Sequence, residues 1–114
     1  MRRKMATLDD FQKIDIRVGT IVTAEPFPEA RKPSIRLAID FGAEVGMKRS
    51  SAQLTRRYTA EELVGRQVVA VVNFPARRIA GFASEVLVLG AVPDEGDVVL
   101  LRVDSDVANG VRIA

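Results

Sequence analysis

Three dibasic pairs carry the chemistry this sequence offers most plainly. Lys48-Arg49 precedes Ser50-Ser51-Ala52-Gln53, Arg56-Arg57 precedes Tyr58, and Arg77-Arg78 follows an apolar run. Lysine and arginine attract phosphates, while short Ser, Gln and Asn side chains hydrogen-bond sugars, base edges or backbone oxygens. Net charge is only +2, yet residues 1–78 hold 15 basic and 9 acidic side chains and residues 79–114 hold 2 and 6. A polyanionic partner needs such segregation, because phosphate neutralisation supplies most non-specific affinity for nucleic acid. Lopsided charge also serves solubility, so composition alone leaves both readings open.

Catalytic chemistry is poorly provided for. The 114 residues include no histidine and no cysteine, which removes Ser-His-Asp and Cys-His arrangements, thiolate or imidazole zinc sites, and disulfides. The adjacent acids Asp9/Asp10, Glu61/Glu62 and Asp94/Glu95 sit at expected helix starts or turns, where capping and the helix dipole explain them. Asp104 and Asp106 lack a third ligand for a hard cation. The glycines are scattered singly, with no phosphate-cradling spacing. The expectation is a binding protein, not an enzyme, with no cofactor and no metal.

The chain is long enough for one domain, and no linker, repeat or low-complexity tract divides it. No apolar stretch follows Met1-Arg2-Arg3-Lys4 before Asp9, so neither a signal peptide nor membrane insertion is expected, and the cytoplasm is the expected location.

The elements that must position the basic residues follow from patterning. Thr7 caps a short helix from Leu8 to about Lys13. Alternation of Ile14, Ile16 and Val18, with a phase change to Ile21, predicts one long strand from Asp15 to Glu25 with a bulge or bend at Gly19. Pro26, Pro28 and Pro33 bound a loop that carries Glu29, Arg31 and Lys32. Ile35, Leu37, Ile39 and Phe41 alternate with polar or small residues as a half-buried strand. Gly42 to Gly46 turns the chain into a third strand, Met47 to Leu54. Thr59 and Glu62 form a second capping box, ended by Gly65. The run Val68 to Val72 reads as a strand buried on both sides. Ala76 to Gly81 reads as a loop, Glu85 to Leu89 as a strand, Pro93 to Gly96 as a turn, and Val98–Val103 and Val111–Ile113 as short terminal strands. The order predicts an all-β, five-stranded OB-fold barrel with short helices, one of them between strands 3 and 4.

In such a barrel, strands 2 and 3 and the neighbouring loops present ligands, which singles out Arg36, Lys48, Arg49, Ser51 and Gln53. The chain has five Phe, one Tyr and no Trp. Extensive base stacking is therefore not expected, and a nucleic acid would be recognised by shape, through backbone and 2′-OH contacts.

Asp10-Phe11, Asp15-Ile16-Arg17-Val18-Gly19-Thr20-Ile21, Lys48 to Leu54, and Gly65 to Leu87 with its core Asn73-Phe74-Pro75-Ala76-Arg77-Arg78-Ile79-Ala80-Gly81-Phe82 together resemble the tRNA-binding OB domain. That domain is also found appended to methionyl- and phenylalanyl-tRNA synthetases. The match covers nearly the whole chain and looks closest to the stand-alone CsaA branch, regarded as protein-export chaperones. The resemblance implies a single non-catalytic domain over residues 1–114 that forms a homodimer through its N- and C-terminal segments. It also implies a tRNA site at Ser51, Gln53, Asn73, Arg77, Arg78 and Ser84. Synthetase-appended members commonly carry a Ser-Gly-hydrophobic step where this chain has Ser51-Ala52-Gln53. The CsaA likeness implies binding of unfolded precursor proteins or peptides, for which Phe74 and Phe82 are the candidate apolar contacts.

Overall fold

A computed structural model describes residues 4–114, and the basic start Met1-Arg2-Arg3 lies outside the described residues. Helix α1 (Leu8–Gln12) begins with the expected capping box, in which the Thr7 hydroxyl accepts from the Asp10 N–H and the Asp10 carboxylate accepts from the Thr7 N–H. Strand β1 (Ile16–Pro26) then crosses the whole molecule. Its first half pairs antiparallel with β4 (Gln67–Val71) and its second half with β2 (Ile35–Asp40), the exchange occurring at Thr20. Strand β3 (Met47–Ala52) pairs with β2, and β7 (Leu87–Val88) pairs with β4, giving the antiparallel order β3-β2-β1-β4-β7.

One long bent strand shared by two partners lets five strands curl into a nearly closed barrel, as the patterning predicted. Closure comes from hydrogen bonds between β3 and residues 84–86. The Glu85 N–H donates to the Arg49 carbonyl at 2.8 Å, the Ser51 N–H to Ser84 Oγ at 3.0 Å, and Ser50 Oγ to the Val86 carbonyl at 3.1 Å. The core inside contains Ile21, Leu37, Ile39, Phe41, Leu54, Leu63 and Val68, all essentially buried. The β2 alternation is the one read from sequence, with Ile35, Leu37 and Ile39 inward and Arg36, Ala38 and Asp40 less buried. Helix α3 (Ala60–Leu63), with its Thr59/Glu62 capping box, sits between β3 and β4 and buries Leu63.

Several local expectations differ from the structure. Gly19 is no bulge: β1 and β4 stay in register through Gly19 and Val68, and the irregularity lies between Ile21 and Thr23 on the β2 side. Glycine is required at 19 because an added Cβ would lie 2.7 Å from both Ile39 and Phe41 side-chain atoms in the core. Gly42–Val45 forms a single-turn helix, α2, in place of a plain turn. The loop expected over Ala76–Gly81 is a hairpin of β5 (Arg77–Ile79) and β6 (Phe82–Ser84). Its turn, Ala80-Gly81, has φ of 49° and 80°, the positive pair that a two-residue hairpin turn with the native strand twist demands. Glu85 and Val86 make the seam to β3, which leaves Leu87–Val88 of the expected strand in register with β4, followed by the Leu89 N–H donating to the Val69 carbonyl at 2.8 Å.

The C-terminal third wraps the barrel. A hairpin of β8 (Gly90–Asp94) and β9 (Asp97–Leu100) takes the place of the turn and longer strand expected there. The last residues run beside the first half of β1 through an Arg17–Arg112 bridge, with the Val18 N–H donating to the Val111 carbonyl and the Ile113 N–H to the Ile16 carbonyl. Among the described residues no helix is long and apolar enough to cross a membrane.

The second dibasic pair ties this hairpin down. Arg57 grips the buried Asp97 with both ends of its fork, Nε to Oδ1 at 2.5 Å and Nη2 to Oδ2 at 2.9 Å. Arg56 Nη1 donates to the Glu95 carbonyl at 3.1 Å, and the Leu100 N–H donates to the Tyr58 hydroxyl at 3.1 Å. The Arg57 hydrogen bonds hold the Asp97 carboxyl below its ordinary value of 3.8, and the same contacts raise Arg57, which is charged in any case. A lowered folded-state pKa contributes stability above the unfolded value that is lost as pH falls through the folded one. Thermal melts of the parent and Asp97→Asn should therefore differ by several degrees at neutral pH and converge as pH drops below about 4. A gap that persists undiminished in acid would contradict this role.

Candidate functional site

Alternation on β2 and β3 decides which polar side chains share a surface. Arg36 on β2 stands directly opposite Ser51 on β3, and Ala38 opposite Arg49, all on the strand faces turned away from the core. Lys48 belongs to the other face, the one on which its neighbour Ser50 is buried and bonded to Val86. Strand period thus separates Lys48 from Arg49 and Ser51, although the three are nearly adjacent in sequence.

An aromatic and arginine stack covers part of the outer face. The Phe27 and Phe82 rings meet edge to face with centroids 5.5 Å apart. The Arg36 guanidinium lies 5.0 Å from the Phe27 centroid and 5.9 Å from that of Phe82, and the Arg49 guanidinium lies 5.0 Å from Phe82 on its own account. Two carboxylates accompany them: Glu25 at 3.0 Å from Arg36 Nη2 and Glu85 at 3.8 Å from Arg49 Nε. Phe27 is buried and Phe82 half-buried, so this cluster leaves little aromatic surface free.

Beside it runs a groove of about 710 Å³. One wall is the loop after β1 with Arg31 and Lys32, the other is the β5–β6 hairpin with Arg77 and Ile79. Ser51, Ala52 and Gln53 at the end of β3 line it, over apolar residues that include Leu54, Val88 and Val98, and Glu95 closes one part of the rim. A smaller depression of about 470 Å³ on another part of the surface mixes Arg66 and Arg102 with Glu62, Asp104 and Asp106, so its lining charges oppose one another.

The residues singled out from sequence are therefore divided. Ser51, Gln53 and Arg77 line the groove. Ser84 is buried in the seam, in register with Arg77, and accepts the Ser51 N–H. Arg36 and Arg49 occupy the stack next to it. Arg78 is exposed and curls back so that Nη1 donates to the Gly81 carbonyl of its own turn at 3.1 Å. The Asn73 amide is engaged at both ends, Oδ1 accepting from the Asp15 N–H at 2.9 Å and Nδ2 donating to the Lys13 carbonyl at 2.8 Å. It fastens α1 to the end of β4, with Phe74 beside it 45% exposed. Arg31 and Lys32 were not among the site residues chosen from sequence. The available signal was a basic pair in the proline-bounded loop between strands 1 and 2, a loop with which OB barrels contact ligands.

A family model described as "Putative tRNA binding domain" matches residues 16–112. The chain belongs to the tRNA-binding domain family. Solved structures similar to the chain include the crystal structure of the chaperone CsaA from Bacillus anthracis, 59% identical with a TM-score of 0.93, covering 97% of this chain and 100% of that one. The CsaA chaperone of Picrophilus torridus is 49% identical with a TM-score of 0.88, covering 96% and 100%. A protein from Pyrococcus horikoshii described as related to methionyl-tRNA synthetase is 28% identical with a TM-score of 0.86, covering 98% and 100%. The methionine-tRNA ligases of Methanocaldococcus jannaschii and Thermotoga maritima are each 36% identical over 90% and 95% of the chain. The chain spans only 15–16% of the length of those ligases. The likeness to the CsaA structures thus extends over whole chains, and that to the ligases over one part.

Proposed function

We propose that this domain is a non-catalytic tRNA-binding protein of the cytoplasm that holds structured RNA in the groove between the Arg31–Lys32 loop and the Arg77 hairpin. The observation that carries the reading is the convergence of those three basic side chains, from two segments far apart in sequence, on one groove that Ser51 and Gln53 also line. Guanidinium and ammonium groups on both walls neutralise phosphates, and the β3 side chains hydrogen-bond sugar hydroxyls or base edges. Arg36 and Arg49, next to the groove, extend the positive surface. Arg78, Lys48, Asn73 and Ser84 contribute less directly: Arg78 by charge at the hairpin tip, Lys48 from the barrel's other face, and Asn73 and Ser84 by holding backbone.

Binding of unfolded precursor proteins or peptides is the second reading, favoured by the full-length likeness to CsaA chaperones and by the apolar floor of Leu54, Val88 and Val98. Phe74 offers an exposed apolar ring for such a ligand, and Phe82 the free edge of the stack. Apolar burial is screened little by salt and carries a negative heat-capacity change, whereas phosphate binding weakens steeply with salt.

A salt titration with bulk tRNA separates the two. The logarithm of affinity should fall linearly with the logarithm of salt, and replacing Arg31, Lys32 and Arg77 together by Gln should reduce the slope by about 0.7–0.9 per lost contact. An unchanged slope would show that the groove does not hold the phosphates. Salt-resistant capture of an unfolded polypeptide, with no tRNA binding, would favour the chaperone reading.

We also propose a homodimer formed through the terminal segments. Helix α1 buries no side chain and leaves Leu8 70% exposed, with Met5 just before it 91% exposed, and a five-residue helix has too few hydrogen bonds to persist without packing. A symmetric partner laid on α1 would cover these residues. Sedimentation at micromolar concentration should report twice the 12.5 kDa chain mass, and a stable monomer would overturn this assembly.

A further inference from the structure

We propose that Arg36 is a positioning residue: stacked on Phe27 and Phe82, it locks the loop after β1 to the β5–β6 hairpin and so sets the spacing of the two basic walls. The inference rests on the reading of the groove as a polyanion site.

The two walls have no strand pairing with each other. The loop is attached at Phe27, whose N–H donates to the Ser34 carbonyl at 3.1 Å and which is only 3% exposed. That burial is not in the barrel core, since Phe27 lies outside the cluster built around Ile21, Leu37 and Phe41. It lies under Phe82, the first residue of β6, and under the Arg36 guanidinium. Phe82 in turn is the residue through which the hairpin bearing Arg77 meets the loop bearing Arg31 and Lys32. Arg36 spans this joint, with its guanidinium within 6 Å of both ring centroids.

How Arg36 is held shows why arginine is needed. Nη2 pairs with Glu25 at 3.0 Å, but the buried Nε has no hydrogen-bond partner. The group is kept in place by its contacts over two rings and by one carboxylate, not by a polar cage. A lysine would supply the charge without the plane. The Ala80-Gly81 turn serves the same end: Ala80 accepts a left-handed backbone, costly for a residue with a Cβ, and makes the hairpin short and stiff. A rigid hairpin transmits the position of Phe82 to Arg77, five residues away on the paired strand.

Arg36 touching a phosphate itself, or Phe82 stacking on a base, are the competing roles. Phe27 is too buried to touch any ligand, which makes it the discriminating position. Because the chain has no cysteine, Glu29→Cys and Ala80→Cys, both exposed, place one spin label on each wall, with labelled chains diluted into unlabelled ones. The label-to-label distance should be narrowly distributed in the parent and broadened in Arg36→Lys and in Phe27→Leu. In tRNA titrations Arg36→Lys, which keeps the charge, should bind roughly tenfold more weakly at low salt, with a salt slope smaller by about 1.4–1.8, as when one wall with two phosphate contacts disengages. A change in stability alone would leave that slope unmoved. A distribution that stays narrow in Arg36→Lys, or full affinity and slope in that variant, would overturn the positioning role. Should Phe27→Leu not fold, Arg36→Lys, at a part-exposed site, decides the matter alone. If the parent binds no tRNA, the groove's assignment fails, while the label distances still test the lock.

Discussion

The seam between β3 and residues 84–86 is the contact on which the rest of the molecule depends. A five-stranded sheet with a two-residue last strand has little ladder with which to close on itself. Closure rests instead on Ser50, Ser51, Arg49 and Glu85, through backbone donors and short hydroxyl side chains. Two of these bonds involve side chains buried at the seam, where leaving a polar group unpaired costs about 1–3 kcal/mol. The seam therefore has to form for the core to be sealed, and it fixes the chain direction just after β6.

That constraint also sets the outer face of the barrel. Because Ser84 is anchored to Ser51, the β5–β6 hairpin must lie over the outer face of β2 and β3, and Phe82 must land on Phe27 and Arg36. Structure and candidate site share residues: Ser51 both closes the barrel and lines the groove. The charges divide by the same logic. Arg56, Arg57 and Arg17 face carboxylates at short range, tying down the β8–β9 hairpin and the start of β1. Arg31, Lys32 and Arg77 instead stand exposed on opposite walls of an open groove.

Much of this was legible in the amino-acid order because it depends on local rules. The β2 alternation, both capping boxes, the buried β4 run and the helix between strands 3 and 4 follow from side-chain period and orphan backbone donors. What was not legible depends on contacts across the chain. Gly19 looks like a bulge, and only the approach of Ile39 and Phe41 shows that it is a close-packing position. Ala76–Gly81 looks like a loop, since its strands are three residues each and Ala80 does not advertise a left-handed turn. Asn73 looks free to bind a ligand, and its two partners, Lys13 and Asp15, are some 60 residues earlier. Dibasic spacing cannot distinguish Arg56-Arg57, which holds a hairpin, from Arg77, which lines the groove. Arg31 and Lys32 gain their place only because Phe27 pins their loop.

Occupation of the groove between the Arg31–Lys32 loop and the Arg77 hairpin by RNA, as proposed, can be observed directly. Backbone amide chemical shifts followed while tRNA is added report contact residue by residue. The amides of Arg31, Lys32, Ser51, Gln53 and Arg77 should move together along one binding isotherm, while those of Arg102 to Asp106 stay still. Shifts concentrated at residues 102–106 or on α1, with the groove amides unmoved, would contradict it.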